Sequence, residues 1–343
     1  MDQVKIKKET KRKIKVDFER APLAERLKAK FLSTFFLWKV IYVIFRTVLL
    51  VGVSFVILYP YITTIFGSFM SDTDFKDVTV ILISKNPTWD QYRYIITQNQ
   101  YFTAVLDTFL LSLGVALIQT LICALIAYGL AKFKFRGNNL IFFLVIFTMM
   151  VPRESLKFML EQYFVSFGTK NPIGALITLI TEKVSVKNTI IPIITLSLTG
   201  LGFKNGLFIF MLRQFFRGVP DELEESAYVD GSNTFRTFFT IILPLSVPML
   251  LTVFIFAFAW QWTDDFYTSI FFDKTYWGTG DIRLMSSIVE VPEALELASK
   301  NLSAYQWAIK GTAAILIVLP LIIAYLFVQN KLVQGIERSG IVG

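Results

Sequence analysis

The sequence predicts an all-α polytopic membrane protein with six transmembrane helices and cytoplasmic N and C termini. Three observations support this fold class: hydrophobic residues make up 54% of the chain and charged residues only 17%, mean hydropathy is +0.57, and six long apolar segments follow one another. Soluble domains are close to a quarter charged, and a transmembrane helix needs about 20 apolar residues. The chain is therefore too apolar for an ordinary soluble domain.

The six predicted spans have the approximate boundaries 47–68, 104–130, 139–160, 189–212, 238–261 and 308–329. Span three is cleanly apolar only as far as Val151, and span four contains Lys204 among three glycines. A lysine inside a span is costly unless it faces protein or water. We therefore expect a break or a channel-facing surface in span four, unless its boundary is misplaced.

The distribution of positive charge predicts the orientation. Residues 1–46 hold 13 of the 34 Lys and Arg residues, and they predict a basic cytoplasmic arm followed by an interfacial elbow helix. With the N-terminus inside, the cytoplasmic pieces 1–46, 131–138, 213–237 and 330–343 hold 21 Lys and Arg residues. The outer pieces 69–103, 152–188 and 262–307 hold 11. This bias follows the positive-inside rule, and residues 47–343 then form one transmembrane domain.

Composition also excludes several kinds of site. The chain has no histidine and a single cysteine, Cys123, so the commonest general base, a disulfide and a multi-cysteine metal site are all excluded. We expect no metal site. The net charge of +8 lies mainly in the N-terminal arm, which predicts contact with membrane lipid and no binding of nucleic acid.

The cytoplasmic loop 213–237, between spans four and five, predicts two short helices with a sharp corner. Pro220 suits the first helical position, and Gly231 suits a left-handed end of the first helix. Ser232 or Asn233 can cap the second helix. Pro244 then closes or kinks that helix as it enters span five.

The first helix of this loop has a narrow apolar stripe formed by Leu223, Ala227 and Tyr228. Three interpretations are open: a solvated connector, a helix lying on the membrane surface, or a docking element for a soluble partner. Connectors of this length rarely contain two capped helices, and a membrane-surface helix would need more basic residues than this acidic loop offers. The pattern favours a docking element.

The segment from Glu225 to Pro244 resembles the signature of binding-protein-dependent ABC importer permeases. That signature reads Glu-Ala-Ala, three residues, Gly, nine residues and Ile-x-Leu-Pro, and Ser226 is the one departure from it. Other segments resemble the carbohydrate branch, the maltose-permease-like inner subunits. They are the Pro-x-Glu-Leu-x-Glu lead-in from Pro220, the Ala-Tyr-x-Leu-Ala-Lys segment from Ala127, and the Trp-Gln-Trp-Thr-Asp-Asp-Phe-Tyr segment at 260–267.

The resemblance implies a type I ABC importer permease architecture, in which the 213–237 loop is a coupling helix that docks on an ATPase. The implied docking residues are Glu222, Glu225, Ser226, Ala227, Asp230, Gly231, Ile241, Leu243 and Pro244. The implied partners are a second permease subunit in a heterodimer, two ATPase subunits and an extracellular or lipid-anchored solute-binding protein. The chain contains no G-x-x-x-x-G-K-[ST] motif. It is therefore expected to be a transporter subunit and not an enzyme, with no bound cofactor and with ATP-Mg held by the partner ATPase.

The resemblance also implies import of a sugar or oligosaccharide across the bacterial cytoplasmic membrane. A sugar path needs hydrogen-bonding groups and aromatic faces, which the end of span five offers in Trp260, Gln261, Trp262, Asp264 and Asp265. These side chains also fit interfacial anchors and solvated carboxylates. The alternatives are a permease for an amino acid, peptide or phosphate, a membrane-embedded enzyme, or a secondary transporter. The sequence does not assign a role to the basic arm or to the outer segment 165–188.

Overall fold

The computed structural model describes residues 34–166, 188–202, 204–272, 283–299 and 303–340, and every regular element in these ranges is helical. This confirms the all-α class for the described part of the chain. The basic arm up to residue 33 and nearly all of the 165–188 segment lie outside the described residues. The chain divides into two units, Met1–Thr63 and Thr64–Gly343.

The first helix, α1, runs without interruption from Thr34 to Gly67. The predicted elbow helix is therefore not a separate element but the first turns of the helix that contains span one. No glycine or proline occurs between Thr34 and Val51, so nothing in this stretch favours a break. Apolar side chains along α1, including Val48 and Val56, are exposed.

Two short helices and one long helix follow. They are α2 (Asp72–Lys76), α3 (Asp90–Gln98) and α4 (Tyr101–Lys132). Helix α4 contains the predicted span two and has 32 residues, which corresponds to a length of about 48 Å. It is long enough to cross a membrane with its ends outside the hydrocarbon.

The predicted spans three and four are both interrupted. Helix α5 (Asn138–Thr148) is followed by α6 (Arg153–Glu161), which ends in a π-helical turn, Gln162–Ser166. The two segments meet at a bend of 94°. Span four consists of α7 (Ile191–Leu198) and α8 (Asn205–Arg217). The predicted break around Lys204 is confirmed.

The loop after α8 contains α9 (Glu222–Val229) and α10 (Thr234–Thr237). A π-helical segment, Phe238–Ile242, and a short α11 (Leu243–Leu245) lead into α12 (Val247–Trp262). The segment up to Leu245 and α12 form a bent pair with an angle of 80°. The kink predicted near Pro244 is therefore present, and span five is not straight.

The remaining elements are α13 (Phe266–Phe271), a 3₁₀ turn (Met285–Val289), α14 (Glu293–Ser299) and α15 (Ser303–Gly340). Within the described ranges, three helices are long and apolar enough to cross a membrane, and two bent pairs raise this number to five. Helices α7 and α8 do not meet that length separately. The count of six spans stays a prediction.

The core forms around α4, which packs most extensively against α8 and α12. Small buried residues of α4, including Cys123, Ala124 and Ala127, face large buried side chains such as Phe208 and Phe216 of α8. Small residues let helix backbones approach closely in membranes, where packing drives association. Helix α4 is thus the central element of the second unit.

Candidate functional site

The corner between α9 and α10 has the left-handed geometry that the sequence predicts. Gly231 has φ +81°, and its N–H donates to the carbonyl of Tyr228 at 3.0 Å. The next N–H, of Ser232, donates to the carbonyl of Ala227 at 2.9 Å. These two bonds define a Schellman motif. A Cβ atom at Gly231 would meet nothing within 4 Å, so only the backbone conformation requires glycine here.

The caps of the two helices differ slightly from the prediction. Helix α9 begins at Glu222, with Asp221 at the N-cap, so Pro220 lies two residues before the helix and not at its first position. Asn233 caps α10, because its side-chain oxygen accepts the N–H of Arg236 at 2.8 Å. Of the two predicted capping residues, Ser232 does not fill this role.

The residues of the apolar stripe on α9 differ in exposure. Of its three members only Ala227 is buried, whereas Leu223 and Tyr228 are each 41% exposed. Val229 at 88% and Phe235 at 72% are more exposed still. The stripe was inferred from apolarity alone, and the loop turns its large apolar side chains away from the rest of the chain. This leaves an exposed apolar surface on the α9–α10 pair.

The predicted docking residues divide into exposed and inward-facing groups. Those that are exposed are Glu222, Glu225, Ser226, Asp230, Gly231 and Pro244. Ala227 is buried, and Ile241 and Leu243 are half-buried beside the core. The exposed members other than Pro244 therefore lie on α9 or at its corner, whereas Ile241, Leu243 and Pro244 lie in the segment that leads into α12.

The polar contacts that hold α9 involve Glu224, a residue that the sequence reasoning did not select. The Glu224 side chain is 9% exposed and faces the Lys132 Nζ atom at 3.3 Å, and the Lys132 side chain is 7% exposed. Lys132 also donates to the backbone carbonyl of Val219 at 2.6 Å and to Asp221 at 2.5 Å. One lysine at the end of α4 thus binds the chain before α9 and the first turn of α9.

Tyr128 completes this contact. Its hydroxyl group donates to the second carboxylate oxygen of Glu224 at 3.0 Å. The Tyr128 ring packs against Phe216 and Phe238, with centroid distances of 5.9 and 4.9 Å. Tyr128 and Lys132 are four residues apart on α4 and so lie on one face. This spacing, together with Glu224 three residues before the small Ala227, was a sequence signal that could have predicted the contact between α4 and α9.

The hydrogen bond and charge of Lys132 hold the pKa of the exposed Asp221 carboxyl below its usual value. Nearby, Arg213 donates to the carbonyl of Leu130 at 3.1 Å, and Asn138 donates to the same carbonyl at 3.2 Å. The last carbonyls of a helix have no intrahelical partner. These side chains satisfy them and fix the end of α4 beside the loop.

Two cavities lie at the opposite end of α12. The larger, about 770 Å³, is lined by hydroxyl, carboxylate and amide groups, including Ser269, Ser286, Glu290 and Gln306. The smaller, about 360 Å³, reaches Gln119 of α4 and Lys204 at the start of α8. Thr263 and Asp265 line both cavities. The two cavities are therefore adjacent.

The five residues predicted for a substrate path have different surroundings. Gln261 lines the smaller cavity, and Asp265 lines both. Trp260 lines the smaller cavity, but its ring stacks on Phe208 at 5.4 Å, and Lys204 Nζ lies 4.6 Å from its centroid. Trp262 lines the larger cavity but is only 3% exposed. The aromatic surface left for a solute is therefore smaller than the sequence suggests.

Asp264 lines the smaller cavity and also has a local structural contact. Its carboxylate accepts the N–H groups of Tyr267 and Thr268 at 3.4 and 3.1 Å, at the start of α13. Burial raises the pKa of the Asp264 carboxyl to about 6, although these hydrogen bonds act in the opposite direction. Its position predicts that Asp264 holds the corner between α12 and α13.

Trp262 contacts the backbone of α15 close to Pro320. Pro320 lies inside that helix and cannot donate to the carbonyl of Leu316, four residues earlier. The Tyr101 hydroxyl group donates to this carbonyl at 3.1 Å, and the Trp262 indole N–H donates to the next carbonyl, of Ile317, at 2.9 Å.

In the part of the chain that the structure describes, no group of Cys, Asp and Glu could hold a metal ion.

Comparison with known proteins decides the family. Residues 120–338 match the family described as binding-protein-dependent transport system inner membrane component. The chain belongs to this family. The match contains both α4 from Thr120 onward and the α9–α10 pair, so the two sides of the Lys132 contact lie within the family domain. The protein is a multi-pass membrane subunit of a transporter and not itself an enzyme.

Relatives of this inner membrane component have sugar transport in their names. The chain is 29% identical over 295 residues to the maltodextrin transport system permease protein MalD of Streptococcus pneumoniae, covering 85% of this chain and 92% of that protein. It is 24% identical over 294 residues to the arabinooligosaccharides transport system permease protein AraQ of Halalkalibacterium halodurans, covering 85% and 93%. A solved structure of a bacterial ABC transporter involved in the import of alginate has the same fold, with TM-score 0.57, 20% identity, and coverage of 84% and 96%.

Proposed function

We propose that this chain is one transmembrane permease subunit of an ATP-driven importer in the bacterial cytoplasmic membrane. Its cargo is a sugar or oligosaccharide, delivered by an extracellular or lipid-anchored binding protein. The observation that supports the importer is the α9–α10 pair, which exposes Leu223, Tyr228, Val229 and Phe235 at a rigid corner. The relatives named for maltodextrin and arabinooligosaccharides support the sugar.

In this proposal the α9–α10 pair docks into one of two separate ATPase subunits, which hold ATP and Mg²⁺, while this chain binds no cofactor. The docking contacts come from the exposed acidic and apolar side chains of the pair. Ala227, Ile241 and Leu243 face inward and hold its orientation. A second permease subunit, in a heterodimer, and lipid cover the apolar surfaces that α1 exposes.

The solute path in this chain runs along the two adjacent cavities. All five predicted residues line at least one of these cavities, and the amide of Gln261 and the carboxylate of Asp265 suit the hydroxyls of a sugar. Trp260 forms part of the wall. Trp262 and Asp264 support the wall through their contacts with α15 and α13.

The proposal includes six spans with both termini inside, and this topology has a direct test. The native Cys123 is fully buried, so a membrane-impermeant maleimide should label only an introduced cysteine. Val78→Cys in the predicted outer loop should react in intact cells. Val229→Cys in the predicted cytoplasmic loop should react only after permeabilisation. Labelling in the reverse pattern would overturn the orientation.

The cargo is tested by reconstituting this chain with the second permease, ATPase and binding protein encoded by neighbouring genes. Maltotriose, arabinotriose, digalacturonate, an amino acid, a dipeptide and phosphate are supplied in turn. We expect one of the sugars, with its binding protein, to stimulate ATP hydrolysis and to accumulate in the vesicles. Stimulation by phosphate, dipeptide or amino acid alone would identify a permease for another solute.

A further inference from the structure

The contact between α4 and α9 is an ion pair in which both charged side chains are almost completely buried. Lys132 and Glu224 are each at least nine-tenths buried, and Tyr128 binds the second carboxylate oxygen. A buried ion pair contributes little net stability over an apolar pair of similar volume, but it can fix one geometry. The contact therefore points to positioning of α9 rather than to stability.

Helix α9 has few other attachments to the rest of the chain. Only Glu224 and Ala227 are buried along it, and it is flanked by the turns at Gly218 and Gly231. Because Lys132 also holds Val219 and Asp221, its Nζ atom binds the loop at three points. A displacement of α9 is thus resisted mainly by the end of α4.

Helix α4 is the unbroken element that leaves this contact. The spans that precede and follow the loop in sequence are both interrupted. Span four breaks between Leu198 and Asn205, and the segment leading into α12 bends by 80°. Rigid helices transmit displacement, whereas breaks absorb it. At its far end α4 accepts backbone N–H groups of the 283–285 segment, through Asp107 at 2.9 Å and Thr108 at 2.8 Å. That segment leads directly to Ser286 in the larger cavity.

We propose that Lys132, Tyr128 and Glu224 form a latch that transmits movement of α9 into α4, and through α4 to the cavity at the opposite end. All three are positioning residues, and this inference rests on the proposed function of α9 as the ATPase-docking helix. In this arrangement ATP-driven force passes through span two, which is distant in sequence from the loop, and not mainly through spans four and five.

The first test measures solute transported per ATP hydrolysed, in vesicles that contain the complete complex and the sugar that the wild type accumulates. Lys132→Met and Glu224→Gln should each lower this ratio at least about tenfold, because each removes the buried Lys132–Glu224 ion pair. The double variant should be no worse than Lys132→Met, since that change alone removes every contact of Lys132 with the loop. Lys134→Met, an exposed neighbour, is the matched control and should keep the wild-type ratio.

Milder variants separate positioning from folding. Lys132→Arg keeps the charge and should retain the ratio, and Tyr128→Phe loses one hydrogen bond and should lower the ratio by about threefold. Co-purification of the ATPase with each variant reports assembly. A Lys132→Met complex that assembles normally and keeps the wild-type ratio would contradict the latch. So would a Lys132→Arg variant that is as defective as Lys132→Met while assembling fully.

A second readout needs no sugar. Hydrogen exchange of residues 101–118 of α4 is compared between the nucleotide-free complex and the complex trapped with ATP and vanadate. Trapping should change exchange in the wild type and in Lys134→Met, and this change should be lost in Lys132→Met and reduced in Tyr128→Phe. Equal changes in all four proteins would refute the latch. If no sugar is transported but this difference appears, the assigned cargo fails and the latch stands.

Discussion

The left-handed corner at Gly231 allows a sharp prediction, because a substitution there changes backbone conformation without creating a clash. Gly231 has φ +81°, and an added Cβ would meet no atom within 4 Å. For an L-residue this conformation costs about 1–2 kcal/mol. A shift of that size changes the population of the correctly turned corner by about 5- to 30-fold. We therefore expect Gly231→Val to lower solute transported per ATP by that factor.

Two controls isolate the backbone conformation as the cause. Asparagine tolerates the left-handed region although its side chain is larger than that of alanine. The ratio of solute transported to ATP hydrolysed in Gly231→Asn should therefore stay within about twofold of wild type. Gly218 lies in the same loop with an ordinary φ of −82°. Gly218→Ala should therefore be silent, whereas Gly231→Ala should be impaired. Thermal unfolding of the complex should change little, because the corner is exposed.

The assay reports uptake and ATP hydrolysis in the same vesicles, with ATPase co-purification as the measure of assembly. If Gly231→Val transports normally, the fixed corner is not needed for coupling. If Gly231→Asn is as impaired as Gly231→Val, the bulk of the side chain at the docking surface is responsible, and the conformational argument is wrong.

Three further predictions concern thermal unfolding in detergent. Tyr101→Phe should destabilise by about 1–3 kcal/mol, because the Leu316 carbonyl, which Pro320 leaves without a helical donor, loses its hydrogen bond, whereas Tyr325→Phe, at an exposed position, should be neutral. Gly200 has φ +73°, and its added Cβ would lie 2.8 Å from a neighbouring side chain, so Gly200→Val should destabilise strongly while the helical Gly129→Ala should not. The pKa of Asp264 is raised to about 6. The protonated Asp264 carboxyl therefore stabilises the fold fully below about pH 4, and this contribution is lost as pH rises through 6. The free energy of unfolding should fall by at most about 3 kcal/mol over this range. Asp264→Asn should remove this pH dependence.

The sequence predicted the local features of the loop well, because those features depend on neighbouring residues. The Gly231 corner and the Asn233 cap follow from backbone preferences that act over three or four positions. The buried partner of α9 could not be predicted in the same way. Tyr128 and Glu224 are 96 positions apart, and several acidic residues of the loop could have paired with Lys132. Only the packing of α4 against the loop selects Glu224.

The candidate substrate path shows the same limit for a residue that the sequence did select. Trp262 was predicted from composition alone, because tryptophan suits both sugar contact and the membrane interface. Its indole N–H instead meets Ile317, next to the carbonyl that Pro320 leaves without a donor. The partner of Trp262 lies 55 positions later in the chain, and no local pattern around Trp262 contains this information.

Span four shows why hydropathy finds an apolar segment but not its path. The segment between Leu198 and Asn205 leaves helical geometry at Gly200, whose φ is +73°, and it places Lys204 beside the Trp260 ring and the smaller cavity. Irregular backbone at membrane depth is tolerated where it is buried in protein or lines a water-filled space, and a lysine is tolerated under the same condition. The break and the lysine therefore have one explanation. In the proposed six-span topology, the left-handed turn at Gly200 is what interrupts span four before Lys204, which then lies beside the smaller cavity.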